Sequence, residues 1–239
     1  TGGKITPEAL TEALILNGRD SVHAGQNVAL SLTNATEWGT VYDVEEVAAL
    51  TDIAHAQGMA CHMDGARFAN ALASLDVAPS DLTWRAGVDI LSLGGTKNGC
   101  MGVEAVLIFD PALSDEFEFR RKRGGALVSK HRFLAAQVLA WLEGDLWLQM
   151  ARHANAMAHE LALGLSRLPG VRINQRVDTN AVFATVPREL YSRARAAGMS
   201  VHLWPHTQDE AGDEPLSIRM VCGWDTRLED VTGELAVLA

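Results

Sequence analysis

Hydrophobic and polar positions along this chain follow two periods. Val44, Val47, Leu50 and Ala54 recur at helical spacing behind Asp43, and Gly58 follows as a stop. Short apolar runs bounded by polar residues, over 27–32, 59–63, 88–93 and 104–109, each predict a strand, and the run at 27–32 reads as a buried one. Thr6 before Pro7 is an N-cap with proline at the first helical position, which predicts a helix over about 7–16. Polar loops are predicted over 17–26 and 33–40, and helical patterning returns over 68–75 and near 79–84. Strand alternating with helix predicts a mostly parallel α/β sheet.

Beyond Pro111 the pattern changes. Arg120, Arg121, Lys122 and Arg123 form a basic run, which reads equally as a solvated helix face, and Gly124–Gly125 break the chain after it. Helical pattern then runs over 130–143 and 146–167, interrupted near Gly144, and Pro169–Gly170 make a turn. Strands over 171–173, 181–186, 201–203 and 216–221, with helices over 187–197 and 226–238, predict a small α+β unit. The expected division is a large domain over 1–145 and a small C-terminal domain over 146–239.

Composition narrows the class. The 239 residues are 48% hydrophobic and 21% charged, which suits a globular protein with a sizeable core. A net charge of −10 argues against nucleic acid or an anionic membrane as partner. No apolar run approaches the ~20 residues of a membrane span, and no signal peptide is read at the start. Cys61, Cys100 and Cys222 lie far apart without ligand spacing, so reduced thiols, a cytoplasmic setting and no metal are expected.

Ligands of such sheets sit beyond the carboxyl ends of the strands. The 33–37 loop, Asp64 and Lys97 all fall there. A lysine at the end of a buried strand loses its proton more readily if the site is dry, and a neutral amine forms a Schiff base with an aldehyde. A carboxylate such as Asp64, set beside a pyridine nitrogen, keeps that nitrogen protonated and the ring an electron sink. Arg67 is placed to hold an anionic oxygen near such a ring. Each has a plainer reading: a solvated turn lysine, a plain Asp64–Gly65 turn, a surface ion pair.

Together these segments carry a resemblance. HMDGARFANA over 62–71 and LSLGGTKNG over 91–99 closely resemble the low-specificity threonine aldolases, of the aspartate-aminotransferase-like (fold type I) group. The likeness continues through SLTNATE at 31–37, RRKR at 120–123, NAVF at 180–183 and IRMV at 218–221. It implies a fold-type-I large domain followed by a small α+β domain, with pyridoxal 5'-phosphate as cofactor. It implies cleavage of L-threonine or a related β-hydroxy-α-amino acid to glycine and an aldehyde, in a homodimer or homotetramer. On the matching positions, Lys97 is the expected Schiff-base lysine and Asp64 the partner of the pyridine nitrogen. Arg67 is expected against the ring oxygen or the substrate carboxylate, and Arg219 on that carboxylate. Lys122 matches a basic residue near the active site, and Lys130 one that reaches a phosphate across a subunit interface.

The family also carries, ahead of the equivalent of Thr1, a glycine-rich phosphate loop and a histidine that stacks on the ring. Neither is read in this sequence. One branch of the family has a histidine in the loop where Thr36 stands here, so no residue is assigned as the base for the β-hydroxyl. His62 is expected to pack or to hold a backbone group. Two other readings stay open: a β-eliminating enzyme with the same cofactor, and an inactive remnant acting only through association.

Overall fold

The computed structural model describes residues 2–16, 22–23, 25–205, 212 and 214–239; most of the polar loop expected over 17–26 lies outside them. Helix α1 (Pro7–Leu16) leads to β1 (Ala29–Thr33), α2 (Val44–Ala56), β2 (Ala60–Gly65), α3 (Phe68–Leu75), β3 (Ile90–Gly94) and β4 (Glu104–Ile108). Asp43 caps α2 through a reciprocal box: its carboxylate accepts from Glu46 N at 2.8 Å, and Asp43 N donates to Glu46 Oε2 at 2.9 Å. Such caps contribute about 1 kcal/mol.

The four strands form one sheet in the order β1-β2-β3-β4. The pairs β1–β2 and β2–β3 are parallel, and β4 runs antiparallel to β3. Connection length explains the reversal. Helices α2 and α3 lie in the first two connections, whereas β3 and β4 are joined only by residues 95–103, too short for the crossover that parallel pairing needs.

One face of this sheet is the core. Leu30, Leu32, Cys61, Met63, Leu91 and Leu93 alternate onto it, each at most 9% exposed, beneath Val47, Leu50 and Ala54 of α2 and Leu72 of α3. The other face carries Ser31, Thr33, His62, Asp64 and Ser92, none of them buried. The buried strand expected over 27–32 is therefore buried on one face only, with Val28 69% exposed ahead of it. The pleat sends alternate residues to opposite faces, and here the second face is polar.

The chain continues through α4 (Phe117–Arg123), α5 (Arg132–Leu142) and α6 (Leu146–Leu165). It closes with β5 (Arg172–Ile173), β6 (Ala181–Val186), α7 (Arg188–Ala196), β7 (His202–Leu203), β8 (Leu216–Val221) and α8 (Leu228–Leu238). The second sheet has the order β5-β6-β8-β7, with every pair antiparallel. Helix α6 serves both cores: Trp147 and Ala151 pack with the first sheet's cluster, and Ala158, Leu161 and Leu165 with the second. Asn70 of α3 and Asn155 of α6 bond reciprocally, Asn70 Nδ2 to Asn155 Oδ1 at 2.9 Å and Asn155 Nδ2 to Asn70 O at 3.0 Å.

At the amino ends of β2 and β3, Asp89 accepts from Cys61 N at 2.6 Å and pairs with His55 Nε2 at 2.9 Å. His55, Cys61 and Asp89 place N, S and O atoms within 4.8 Å of one another. Burial, helped by the Asp89 charge, pushes the Cys61 thiol from the ordinary 9.0 up to about 12. Burial, with Glu234 nearby, pushes Cys222 up to about 11. Above pH 9.0 the unfolded thiols release protons that the folded ones keep, so the folded state binds more protons and stability falls as pH rises toward 11–12. The urea midpoint is expected to drop between about pH 8 and about pH 10.5, and to drop less in Cys61→Ala. Equal drops in both proteins would remove Cys61 from the account.

Candidate active site

The polar face of the first sheet is organised by His62. Its Nδ1 lies 2.8 Å from Ser31 Oγ and its Nε2 lies 2.9 Å from Ser92 Oγ. The ring thus ties three strands together through two hydroxyls, where a backbone group or simple packing was expected.

Asp64 follows on the same face at the carboxyl end of β2. Its Oδ1 accepts from Ala66 N at 2.9 Å, an Asx turn that shapes the exit from the strand. Its carbonyl accepts from Asn34 N at 3.0 Å, which draws the loop after β1 to the same place. Asn34 holds that loop through Tyr42, donating to Tyr42 O at 3.0 Å and accepting from Tyr42 N at 3.1 Å. Thr36 is only 4% exposed; its Oγ1 is 2.8 Å from Thr40 Oγ1 and 3.3 Å from Gly2 O, so it braces the loop.

Lys97 occupies a single 3₁₀ turn, Thr96–Asn98, at the end of β3. The preceding Gly94 is what lets this turn approach Asp64's loop: a Cβ there would lie 2.8 Å from Ala66 Cα. Asn98, 3% exposed, anchors the turn from the other side. It donates to Trp147 O at 2.8 Å, and its own carbonyl accepts from Trp141 Nε1 at 2.8 Å. Gly99 completes the turn at φ +104°, a conformation that costs glycine little. Lys97 itself is exposed, so among the described residues nothing supplies the dry setting expected of a strand-end lysine.

Two arginines complete the group. Arg67 follows Asp64 by three residues and caps the start of α3 without a side-chain cap bond. Arg219 comes from β8 of the second sheet, opposite Phe183 of β6. The Nε atoms of both are buried and have no hydrogen-bond partner among the described residues. Burial first, then the charge of Arg219, depress the proton affinity of Arg67, while Glu37 and Asp64 oppose the shift. Two guanidinium groups therefore share one electrostatic neighbourhood with unspent Nε donors, which suits an anion held near both.

The structure thus brings Asp64, Arg67 and Arg219 into electrostatic reach, with the Lys97 turn packed against Asp64's loop. It does not bring Lys122 and Lys130 to them: both are exposed, on α4 and in the link to α5, with no hydrogen bond or ion pair to this group among the described residues. Sequence reasoning passed over Ser31, Ser92 and Glu37, the anchoring role of Asn98, and Trp38 and Trp204. A large aromatic in an otherwise polar loop at a strand's carboxyl end was the signal available for Trp38.

A family model described as beta-eliminating lyase matches residues 1–189. The chain is 39% identical over 229 residues to the low specificity L-threonine aldolase of Pseudomonas aeruginosa, with 96% of this chain and 63% of that protein covered. It thus spans less than two thirds of that relative's length. The structure of a Leishmania major threonine aldolase superposes with a TM-score of 0.89 at 25% identity, covering 99% of this chain and 67% of that one. That of Oryza sativa TDC with PLP gives 0.70 at 16% identity, a likeness of fold alone, with 100% of this chain and 52% of the other covered. The mostly parallel first sheet, with Lys97, Asp64 and Arg67 at or just beyond the carboxyl ends of β2 and β3, lies wholly within the matched span, and this chain belongs to the beta-eliminating lyase family.

Proposed function

We propose that this chain contributes the lysine, the carboxylate and the carboxylate-binding arginine of a pyridoxal-phosphate site. That site cleaves L-threonine or a related β-hydroxy-α-amino acid to glycine and an aldehyde. The observation that carries the reading is the pair of half-buried arginines with buried, unpartnered Nε atoms, coupled by charge to each other and, at Arg67, to Asp64. The relatives named above supply the reaction class.

The residues fit the cofactor on their own chemistry. Lys97 Nζ, exposed and without a hydrogen bond or ion pair among the described residues, is available to bond its aldehyde carbon, on a turn that Asn98 holds in place. Asp64 keeps one carboxylate oxygen uncommitted among the described residues, available to a ring nitrogen. When bound, the cofactor supplies an electron sink for the pair left at Cα. Asp64 holds the proton on the ring nitrogen. Arg219 anchors the substrate carboxylate and so decides which bond at Cα is presented for cleavage. Arg67 neutralises a ring oxygen or shares the carboxylate.

Product analysis tests this. Glycine and acetaldehyde from L-threonine support it; a 2-oxo acid and ammonia from β-substituted amino acids would instead make the enzyme a β-eliminating one. No turnover by the cofactor-loaded protein would leave an association role.

We further propose a homodimer or homotetramer in a reducing, cytoplasmic setting, which the three free cysteines favour. The division at about residue 145 and the roles of Lys122 and Lys130 belong to the same reading. Four basic residues at the end of α4, in a chain of net charge −10, suit the carboxylates or phosphate of a neighbouring copy. Replacing Lys122 and Arg123 by glutamate is expected to weaken self-association or cofactor retention. Sedimentation equilibrium and a cofactor titration read both, and an unchanged assembly with unchanged retention would refute the patch.

A further inference from the structure

Arg219 does not stand alone. Its guanidinium carbon lies 5.3 Å from the centre of the Trp204 ring and 6.0 Å from that of Phe183. Those rings pack on each other at 5.9 Å and 65°, and Trp38 closes the set at 5.1 Å from Phe183 and 5.9 Å from Trp204. The three rings come from three places: Trp38 from the loop after β1, Phe183 from β6, Trp204 from the chain following β7. Among the described residues, no salt bridge includes Arg219, and the nearby Arg67 repels it. An arginine placed so would swing toward solvent or toward an acid unless packing held it.

Aromatic faces hold a guanidinium in a particular way. They attract its plane and leave its in-plane N–H donors free. The buried, unpartnered Nε of Arg219 is such a donor. We propose that Trp38, Phe183 and Trp204 form a cradle that fixes the plane of Arg219, making these rings positioning residues for its grip on a carboxylate. The proposal rests on the reading of Arg219 as the carboxylate-binding arginine. The cradle also links the two sheets, because the ring set that orients Arg219 includes one ring from the loop that Asn34 ties to Asp64.

The test uses the cofactor-loaded enzyme with two readouts: glycine binding without turnover, followed by protein fluorescence, and kcat and KM for L-threonine. Trp204→Leu should weaken glycine and raise KM about ten-fold while kcat stays within about three-fold, since a stacked guanidinium contact is of that size. Trp204→Phe should stay within about three-fold of the parent on both, because a ring is restored. Arg219→Lys should lose glycine as Arg219→Ala does, its charge kept but its plane gone. If Trp204→Leu fails to fold by circular dichroism, Trp38→Leu on the separate loop takes its place with the same expectation. Parent-like glycine affinity in the leucine variant, alongside a loss in Arg219→Ala, would overturn the cradle and leave Arg219's role standing. Parent-like affinity in Arg219→Ala would overturn both.

Discussion

Lys97→Ala is expected to abolish turnover and, with it, the absorbance band near the visible edge that marks a covalent lysine–cofactor bond. The expectation follows from chemistry rather than packing. Alanine has no amine to bond an aldehyde, and no neighbouring side chain can substitute for it. Lys97 is exposed, and its turn is held by Asn98, Trp141 and Trp147, none of which the substitution touches. Exposed substitutions of this kind change stability by only about 0.5 kcal/mol, so the melting temperature should barely move. Borohydride should fix cofactor to the parent protein and not to the variant. Retained turnover in Lys97→Ala would sink the assignment, and a collapsed fold would show that the turn, not the amine, had been disturbed.

The second large effect is expected at Asp64. Asparagine keeps the shape of the side chain and can still accept from Ala66 N through its carbonyl oxygen, so the turn out of β2 should survive. What it loses is the charge. An opposite charge within a few Å moves a pKa by about one to three units, so removing it should cost roughly ten- to a thousand-fold in the protonated fraction of a bound ring nitrogen, and in rate. Cofactor should still bind. The deficit should shrink as pH is lowered, because bulk protons then do what the carboxylate no longer does. A near-normal rate at neutral pH would reduce Asp64 to a turn residue, and a deficit independent of pH would point to distortion instead.

These two residues were legible in the sequence because their signals are local. Lys97 follows two glycines at the end of an apolar run, and Asp64 ends another such run before Gly65. Most strands and helices were legible for the same reason, including the stop of α2 at Gly58 and the break near Gly144, whose φ is +60°. The helical reading near 79–84 shortened to a 3₁₀ turn at Trp84–Ala86. Thr83, at φ −122° and ψ −110°, breaks the helical path ahead of that turn, and Gly87 in the left-handed region at φ +85° ends it.

Other features depended on contacts between distant parts of the chain. The polar second face of the first sheet is present as alternation in Leu30-Ser31-Leu32-Thr33, Cys61-His62-Met63-Asp64 and Leu91-Ser92-Leu93, but which of its residues meet is set by register between strands. Ser31, His62 and Ser92 meet only across three paired strands. Arg219 gave no local sign of its surroundings; alone in a strand, it reads as an edge residue in solvent.

The sequence by itself determined the alternation of strand and helix, the placing of Lys97 and Asp64 at strand ends, and a family likeness running along the chain. Helical period, strand period and turn chemistry are written in neighbouring residues, so they survive without a fold. Only the tertiary structure decided that Arg67 and Arg219 share one electrostatic neighbourhood, and that Trp204 and Phe183 lie against the second of them with Trp38 packed behind. It also decided that Asn98, next to Lys97 in the sequence, anchors the lysine's turn to α5 and α6 through Trp141 and Trp147. Those facts arise from contacts spanning tens to more than a hundred residues, where packing chooses the partners and no local spacing records the choice.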